Sequence, residues 1–337
     1  MQQPTIFLSG TDNLTLEQLM ELLSQKYDEE TVIDLMRKYC MQSSSSDIQK
    51  KGMEFLYMYG FYDDLNQLIQ KNNESKYPSN RKWAVVYQTI IDRRLHRIKP
   101  PQLIENLNNL ITEEPELKCL IEFVKVTAHY DLKQYNRIGN FLEIQQHLFE
   151  LIGDNLLKIY FTIRLNQILM SYHLTRNELI IARKYAYRVL NQTNNVRSQI
   201  STHISLGLSY TFDTFPQGIY HLNKALQLAR SHNLPNSVRI IEQHNIPFLA
   251  AHFNNAEKIL TTDKSEQAHI EISKGNNLKA IEILESIKLD SPFKLYYMGK
   301  AKQDKYLLLR SYNEFIEKRS DYFFSRLPLT ELQKMSP

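Results

Sequence analysis

Small residues recur at fixed intervals in this chain, and that spacing limits its fold more than any other feature. Within residues 267–292, QAHIEISKGNNLKAIEILESIKLDSP, small or apolar side chains fall at Ala268, Ala280, Leu284 and Ile287, and Pro292 closes the unit. The intervals are 12, 4, 3 and 5 residues, with Lys274-Gly275-Asn276-Asn277 as a turn inside the longest. Two antiparallel helices satisfy this pattern. A small residue at their crossing lets the backbones approach, and the residues one turn further on face the next pair.

Three further stretches carry the spacing in phase. Met170, Ala182, Ala186 and Val189 repeat 12, 4 and 3 without a gap. Gly207 with Tyr210, then Gly218, Leu222 and Ala225, repeat it with one residue deleted from the turn, and Gly299, Ser311 and Phe315 give a fourth copy. These are packing positions of the tetratricopeptide repeat (TPR), a helix–turn–helix unit of about 34 residues, although its signature tryptophan is missing from every copy. Such hairpins bury their apolar faces only by stacking on one another. The expected fold is all-α, a right-handed superhelical solenoid of TPR-like helical hairpins.

Composition agrees. Only 9 Gly and 11 Pro occur in 337 residues, too few to punctuate a strand-and-turn fold. The 41 basic and 37 acidic residues leave a net charge of +4, which is no general footprint for nucleic-acid binding. Cys40 and Cys119 sit inside apolar helical patterns and read as buried free thiols of a reducing cytoplasm. The N-terminal MQQPTIFLSG lacks the layout of a signal peptide, and no apolar run reaches the roughly 18 residues of a membrane span. A cytoplasmic location is expected.

Taken in order, residues 1–10 read as a lead-in to, or remnant of, an N-terminal module, 11–153 as degenerate helical hairpins, and 154–337 as TPR-like repeats forming a concave groove. Thr11-Asp12-Asn13 is the expected cap of a first helix from Leu14, and Tyr27-Asp28 opens the second. Residues 48–71 form a hairpin turning near Gly60, followed by a polar loop over 71–81. Residues 233–264 break the rhythm. From Gly207 to Ala268 the chain runs 61 residues, where one repeat needs about 34. The excess holds Pro235 and Pro247 and reads as an irregular insertion or an eroded repeat.

The sequence holds no Gly-rich phosphate loop, no GxSxG, no HExxH and no CxxC, so no enzyme is expected. His232, His244 and His252 are spaced 12 and 8 apart, which fits no common metal pattern, and neither metal nor cofactor is expected. Helical solenoids without such chemistry bind an extended peptide or partner helix on the concave face, which the first helix of each hairpin lines. The lining positions are Arg164, Asn166, Gln167 and Ser171, then Ser201, Ser205, Leu208 and Thr211, then His269 and Ser273, then Tyr296, Lys300 and Gln303. Amides and hydroxyls there suit a peptide backbone, and Arg164 or Lys300 suits its carboxylate. A separate basic run around Arg93, Arg94 and Arg97 reads either as a solvated helix face or as a phosphate-contacting DNA patch.

Four stretches also carry a resemblance to a known family. Arg164-Leu165-Asn166 with Ile168-Leu169, His221-Leu222-Asn223-Lys224-Ala225, the run KAIEILESIKL over 279–289, and LPLTELQKM over 327–335 resemble the AimR family, the arbitrium peptide receptors of Bacillus phages. Tyr27, Leu35-Met36 and Tyr39-Cys40 fall where similar residues occur in it. The family is related to the Rap, NprR and PlcR peptide-sensing regulators. The resemblance implies a receptor in a bacterial host cell that binds a secreted signalling hexapeptide in its groove. Without peptide it binds phage DNA and promotes lysis; peptide binding favours lysogeny. Family asparagines hold the peptide backbone, and Asn166 occupies one such position, whereas Ser205 and Leu208 stand where the family has a pair. The family's N-terminal helix-turn-helix corresponds here only to residues 1–10. DNA binding is therefore expected only where that module is present, and a Rap-like module that sequesters a protein partner is the alternative. The family's further C-terminal helix supports dimerisation; a monomer or homodimer is expected.

Overall fold

The structure is a computed structural model that describes residues 14–335, and among them every regular element is a helix. The expected N-terminal module over residues 1–10 and the Thr11-Asp12-Asn13 cap lie outside the described residues. The chain divides into two compact units. One comprises the residues up to Leu132 and Asn140–Leu165; the other comprises Lys133–Gly139 and the residues from Asn166 onward.

In the first unit, α1 (Leu16–Ser24) is capped by Thr15, whose Oγ1 accepts the Gln18 N–H while the Gln18 side chain accepts the Thr15 N–H. This reciprocal box satisfies two backbone donors that a helix start leaves open. Asp28 caps α2 (Glu29–Gln42) and Ser45 caps α3 (Ser46–Tyr59). Gly60, at φ 80°, turns the chain into α4 (Tyr62–Asn73), a conformation that costs glycine nothing. The loop expected over 71–81 shrinks to four residues. Pro78 opens α5 (Pro78–Arg94), because a proline in the first turn lacks only an N–H that has no helical partner there. Asn72 and Asn80, both fully buried, bond to each other at 2.8 Å across the turn. Then follow α6 (Pro100–Asn108), α7 (Pro115–Asp131) and α8 (Asn136–Leu151).

The core of this unit mixes large rings with a buried ion pair. Trp83, Tyr87, Phe55, Phe123 and Phe161 are nearly sealed from solvent. Among them lies Glu54, with no exposed surface, gripped by Arg164 through two 2.8 Å bonds and by the Tyr87 hydroxyl. The Arg164 guanidinium also stacks over Tyr57 at 4.2 Å. Burial works against this cation, yet the Glu54 carboxylate beside it holds its pKa above the usual arginine range. Cys40 and Cys119 are buried free thiols, and burial pushes Cys119 up to about 12.

The chain enters the second unit inside α9 (Asn155–Thr175), and α10 (Leu179–Gln192), α11 (Val196–Ser209) and α12 (Phe215–Ser231) follow. Here the expected packing positions lie at helix crossings. A Cβ on Gly207 would meet Leu222 at 2.7 Å and the Gly218 carbonyl at 3.0 Å. Only glycine permits that approach. Ala182, Ala186, Leu222, Ala225, Ala268, Ala280 and Leu284 are all buried.

Residues 235–252 fold as one helical run: α13 (Pro235–Ile240), a π turn (Ile241–Asn245) and α14 (Ile246–His252). The π turn has a local cause. Pro247 offers no N–H, and its ring crowds the carbonyl one turn back. That carbonyl, on Gln243, accepts the Thr261 hydroxyl at 2.8 Å instead, and the Gln243 side chain binds the Thr262 N–H at 2.7 Å. The following loop is thus pinned to the helix. The remaining hairpins are α15 (Lys264–Ser273) with α16 (Asn277–Glu285), and α17 (Pro292–Lys302) with α18 (Lys305–Asn313). A second π turn (Glu314–Arg319) and α19 (Arg326–Lys334) end the described chain.

Candidate functional site

Four of the expected site residues gather in the second unit around one aromatic cluster. His269 on α15 is 1% exposed and stacks on Tyr297 with ring centroids 4.3 Å apart. Phe248 of α14 lies 5.6 Å from it and Tyr296 of α17 6.4 Å. Lys300, one turn beyond Tyr296, reaches that hydroxyl at 3.5 Å. Leu208 packs into the same cluster from α11.

Neither ring nitrogen of His269 has a hydrogen-bond partner. Glu266 Oε2 is the nearest carboxylate atom, at 3.6 Å from Nδ1, and Glu266 is itself bound by the Tyr297 hydroxyl at 3.2 Å. Burial, then the Lys300 charge, push the His269 imidazole down to about 3, so it is neutral. Burial, then Asp263, push Glu266 up to about 8, which leaves it mostly protonated at neutral pH. A buried polar atom without a partner forfeits the full cost of its desolvation, about 1–3 kcal/mol.

The other expected residues divide. Asn166 is 4% exposed and donates to Gln192 Oε1 at 3.0 Å. Gln167 is half-buried, and its carbonyl accepts the Ser171 hydroxyl. Ser205 lines an apolar cleft with Met170, Leu174 and Ala186. Thr211, fully buried, donates to the Leu208 carbonyl, so it is a helix-end bond rather than a groove lining. Ser201 is exposed and bonds within its own helix, and Gln303 sits in the left-handed turn after α17. Arg164 requires a correction: its side chain is spent on Glu54 in the first unit and has no donor pair to offer a peptide carboxylate.

The cations of the basic run have partners within the fold. Arg93 holds Asp131 through bonds of 2.7 and 2.9 Å, Arg94 stacks over Tyr62 at 3.3 Å, and Arg97 lies 3.8 Å from Asp92. Internal anions and a ring engage Arg93 and Arg94 at the end of α5, while Arg97 lies exposed in the turn beyond it. Among the described residues no three His, Cys, Asp or Glu side chains gather as a metal site, and no helix is long and apolar enough to cross a membrane.

Sequence reading missed Phe212, Phe248, Glu266 and Glu331. The acid Glu331, on α19, lies 3.5 Å from Lys300. The aromatic triplet Tyr322-Phe323-Phe324 just before α19 is the sequence signal that pointed to them.

Stacked hairpins with small-residue crossings define a TPR-like helical-repeat protein. The AimR transcriptional regulator-like family model matches residues 32–334, and the chain belongs to that family of transcriptional regulators. It is 24% identical over 319 residues to the AimR transcriptional regulator of Bacillus phage SPbeta, covering 90% of this chain and 80% of the relative. Against the AimR transcriptional regulator of Bacillus phage phi3T it is 23% identical over 300 residues, or 81% of this chain and 76% of the relative. The fold resembles a solved structure of phAimR with ligand at a TM-score of 0.79 and 18% identity, over 96% of this chain and 98% of that one.

Proposed function

We propose that this chain is a peptide-responsive regulator of the arbitrium type, in which a short signalling hexapeptide binds the inner helix face of the second unit and thereby switches the lysis–lysogeny choice of a phage. The observation that supports this reading is His269 with its two unpartnered nitrogens, beside Lys300 and Tyr296. An apolar structural core would have no use for an unsatisfied imidazole next to a cation. A peptide backbone supplies the donors and acceptors that the site lacks; Gln167 offers a half-buried amide on α9, and the Asn166 amide would exchange Gln192 for the peptide. The ligand-bound phAimR structure shares this fold.

Thermal unfolding with a panel of synthetic hexapeptides tests the proposal. A ligand at about 100 times its dissociation constant adds about 2.7 kcal/mol, and the resulting rise should vanish in Lys300→Ala and shrink in Asn166→Ala. If no peptide raises the midpoint, the peptide reading is wrong. The Rap-like alternative, partner sequestration without DNA contact, then gains, because Arg93 and Arg94 are already engaged within the fold.

A further inference from the structure

The face that carries His269, Tyr296 and Lys300 is covered by the chain's own C-terminal segment. After the π turn, Ser320 adopts φ 56° and the chain doubles back. The N–H groups of Tyr322 and Phe323 both donate to the Thr175 carbonyl at the end of α9, at 2.8 and 3.2 Å. Phe323, fully buried, meets Phe212 edge-on at 5.2 Å. Phe324 meets Phe248 of α14 at 5.8 Å and Phe293 of α17 at 5.0 Å. Arg326 stacks over Phe212 at 4.1 Å and donates to Asn177 at 3.1 Å, a contact across 149 residues of chain. Finally Glu331 takes Lys300, and Leu332 and Met335 join the apolar cluster.

A further hairpin helix would touch only its neighbours in the stack. α19 does pack on α18 and α17, but the residues leading into it reach back to the ends of α9 and α11 and to α14. The segment therefore crosses this face with main-chain bonds to one carbonyl, the adjacent rings of Phe323 and Phe324 in apolar niches and an acid on Lys300. The seal is imperfect. His269, one ring behind Phe324 across Phe248, keeps both nitrogens unpartnered while the segment is in place. Glu331 is shared with Lys334 at 3.0 Å, so Lys300 is held by a divided charge.

We infer that residues 320–335 are an intramolecular strap that leaves this face as a unit, and that a peptide ligand competes with it for His269, Tyr296 and Lys300. Opening of the strap stands on the contacts above; what replaces it rests on the peptide reading. Departure frees Lys300 from Glu331 and uncovers Phe248, the ring that lies against His269. The chain then presents an empty face only after spending the energy of opening, which sets the ligand's apparent affinity.

Amide hydrogen exchange on the full chain, without ligand, tests the opening. Amides from Tyr322 to Leu332 should exchange as one group, at least tenfold faster than those of α17. Combining Arg326→Ala with Glu331→Gln should speed that group a further tenfold while leaving α15 and α17 unchanged. Exchange of the segment at the same rate as α17, unaffected by the two substitutions, would overturn the strap, because the segment would then open only with the whole unit. Competition is read in the same experiment with the hexapeptide panel: a peptide that protects α15 and α17 should expose the strap amides. A peptide that protects both refutes competition. A strap that opens while no peptide protects anything supports the device and removes the peptide reading instead.

Discussion

The two units use the same kind of helix and hold it together differently. In the first, rings as large as Trp83 and Phe161 fill the space between helices, and the one charge they enclose, Glu54, is answered by Arg164 and Tyr87. In the second, glycine brings α11 and α12 into near backbone contact beside a ring cluster around Tyr296 and Tyr297, and a segment from the far end of the unit packs back on α9, α14 and α17. Where rings fill the gap the helices stand further apart, and the crossing demands no small residue at a fixed interval. Where backbones nearly touch, it does. That difference explains why the repeat spacing is legible only after Asn166.

The sharpest break in the comparison is Glu54→Ala. It strands the Arg164 cation in a dry core and should cost about 3–5 kcal/mol in urea unfolding; a loss below about 1 kcal/mol would mean that the charge is incidental to the first unit. Gly207→Ala attacks the second unit's device. The added Cβ collides with Leu222 and the Gly218 carbonyl, and a loss of about 1–3 kcal/mol is expected. Gly153→Ala, where a Cβ meets nothing within 4 Å, is the control and should leave the urea midpoint unchanged or slightly raised.

A third test uses pH. His269 has a pKa near 3 in the folded chain against 6.5 unperturbed, so the unfolded state binds the extra proton between those values. Its contribution is complete above about pH 6.5 and is lost on acidification, by about 1.4 kcal/mol per pH unit. Glu266 has the opposite sign: raised from 4.5 to about 8, it makes stability fall as pH rises through that window. In His269→Phe the His269 share of the slope below about pH 6.5 should disappear, so the opposite Glu266 slope shows more steeply between pH 5 and 7.5, and the protein should gain stability at pH 7.5 as the unpartnered nitrogens disappear. An unchanged slope in paired urea titrations at pH 5 and 7.5 would show that water reaches the imidazole. The smallest effect belongs to α1: Thr15→Ala removes the capping box and should cost about 1 kcal/mol in urea unfolding.

Much of the fold was legible because it is local. Asp28 caps its helix, Gly60 turns the chain, and Gly275 at φ 82° sits in the expected turn. The loop placed over 71–81 was too long because proline suits a helix start as well as a loop, and only the buried Asn72–Asn80 pair decides which. Pro247 marked a break in rhythm, but nothing nearby announced that Thr261 would take the carbonyl it frees. For the site, spacing brought His269, Tyr296, Lys300 and Leu208 to one cluster, since residues at equivalent turns of stacked helices share a face. It misplaced Arg164 and Thr211, whose faces point into packed interiors.

The sequence alone determined an all-α chain of stacked hairpins, because helix periodicity and the small-residue crossing act over one or two turns and need no distant partner. Tertiary structure decided which polar groups remain available. Arg164 meets Glu54 across 110 residues, and Arg326 meets Asn177 across 149. Whether a side chain is free to bind depends on the charge or ring that folding brings against it, and no interval along the chain encodes that encounter.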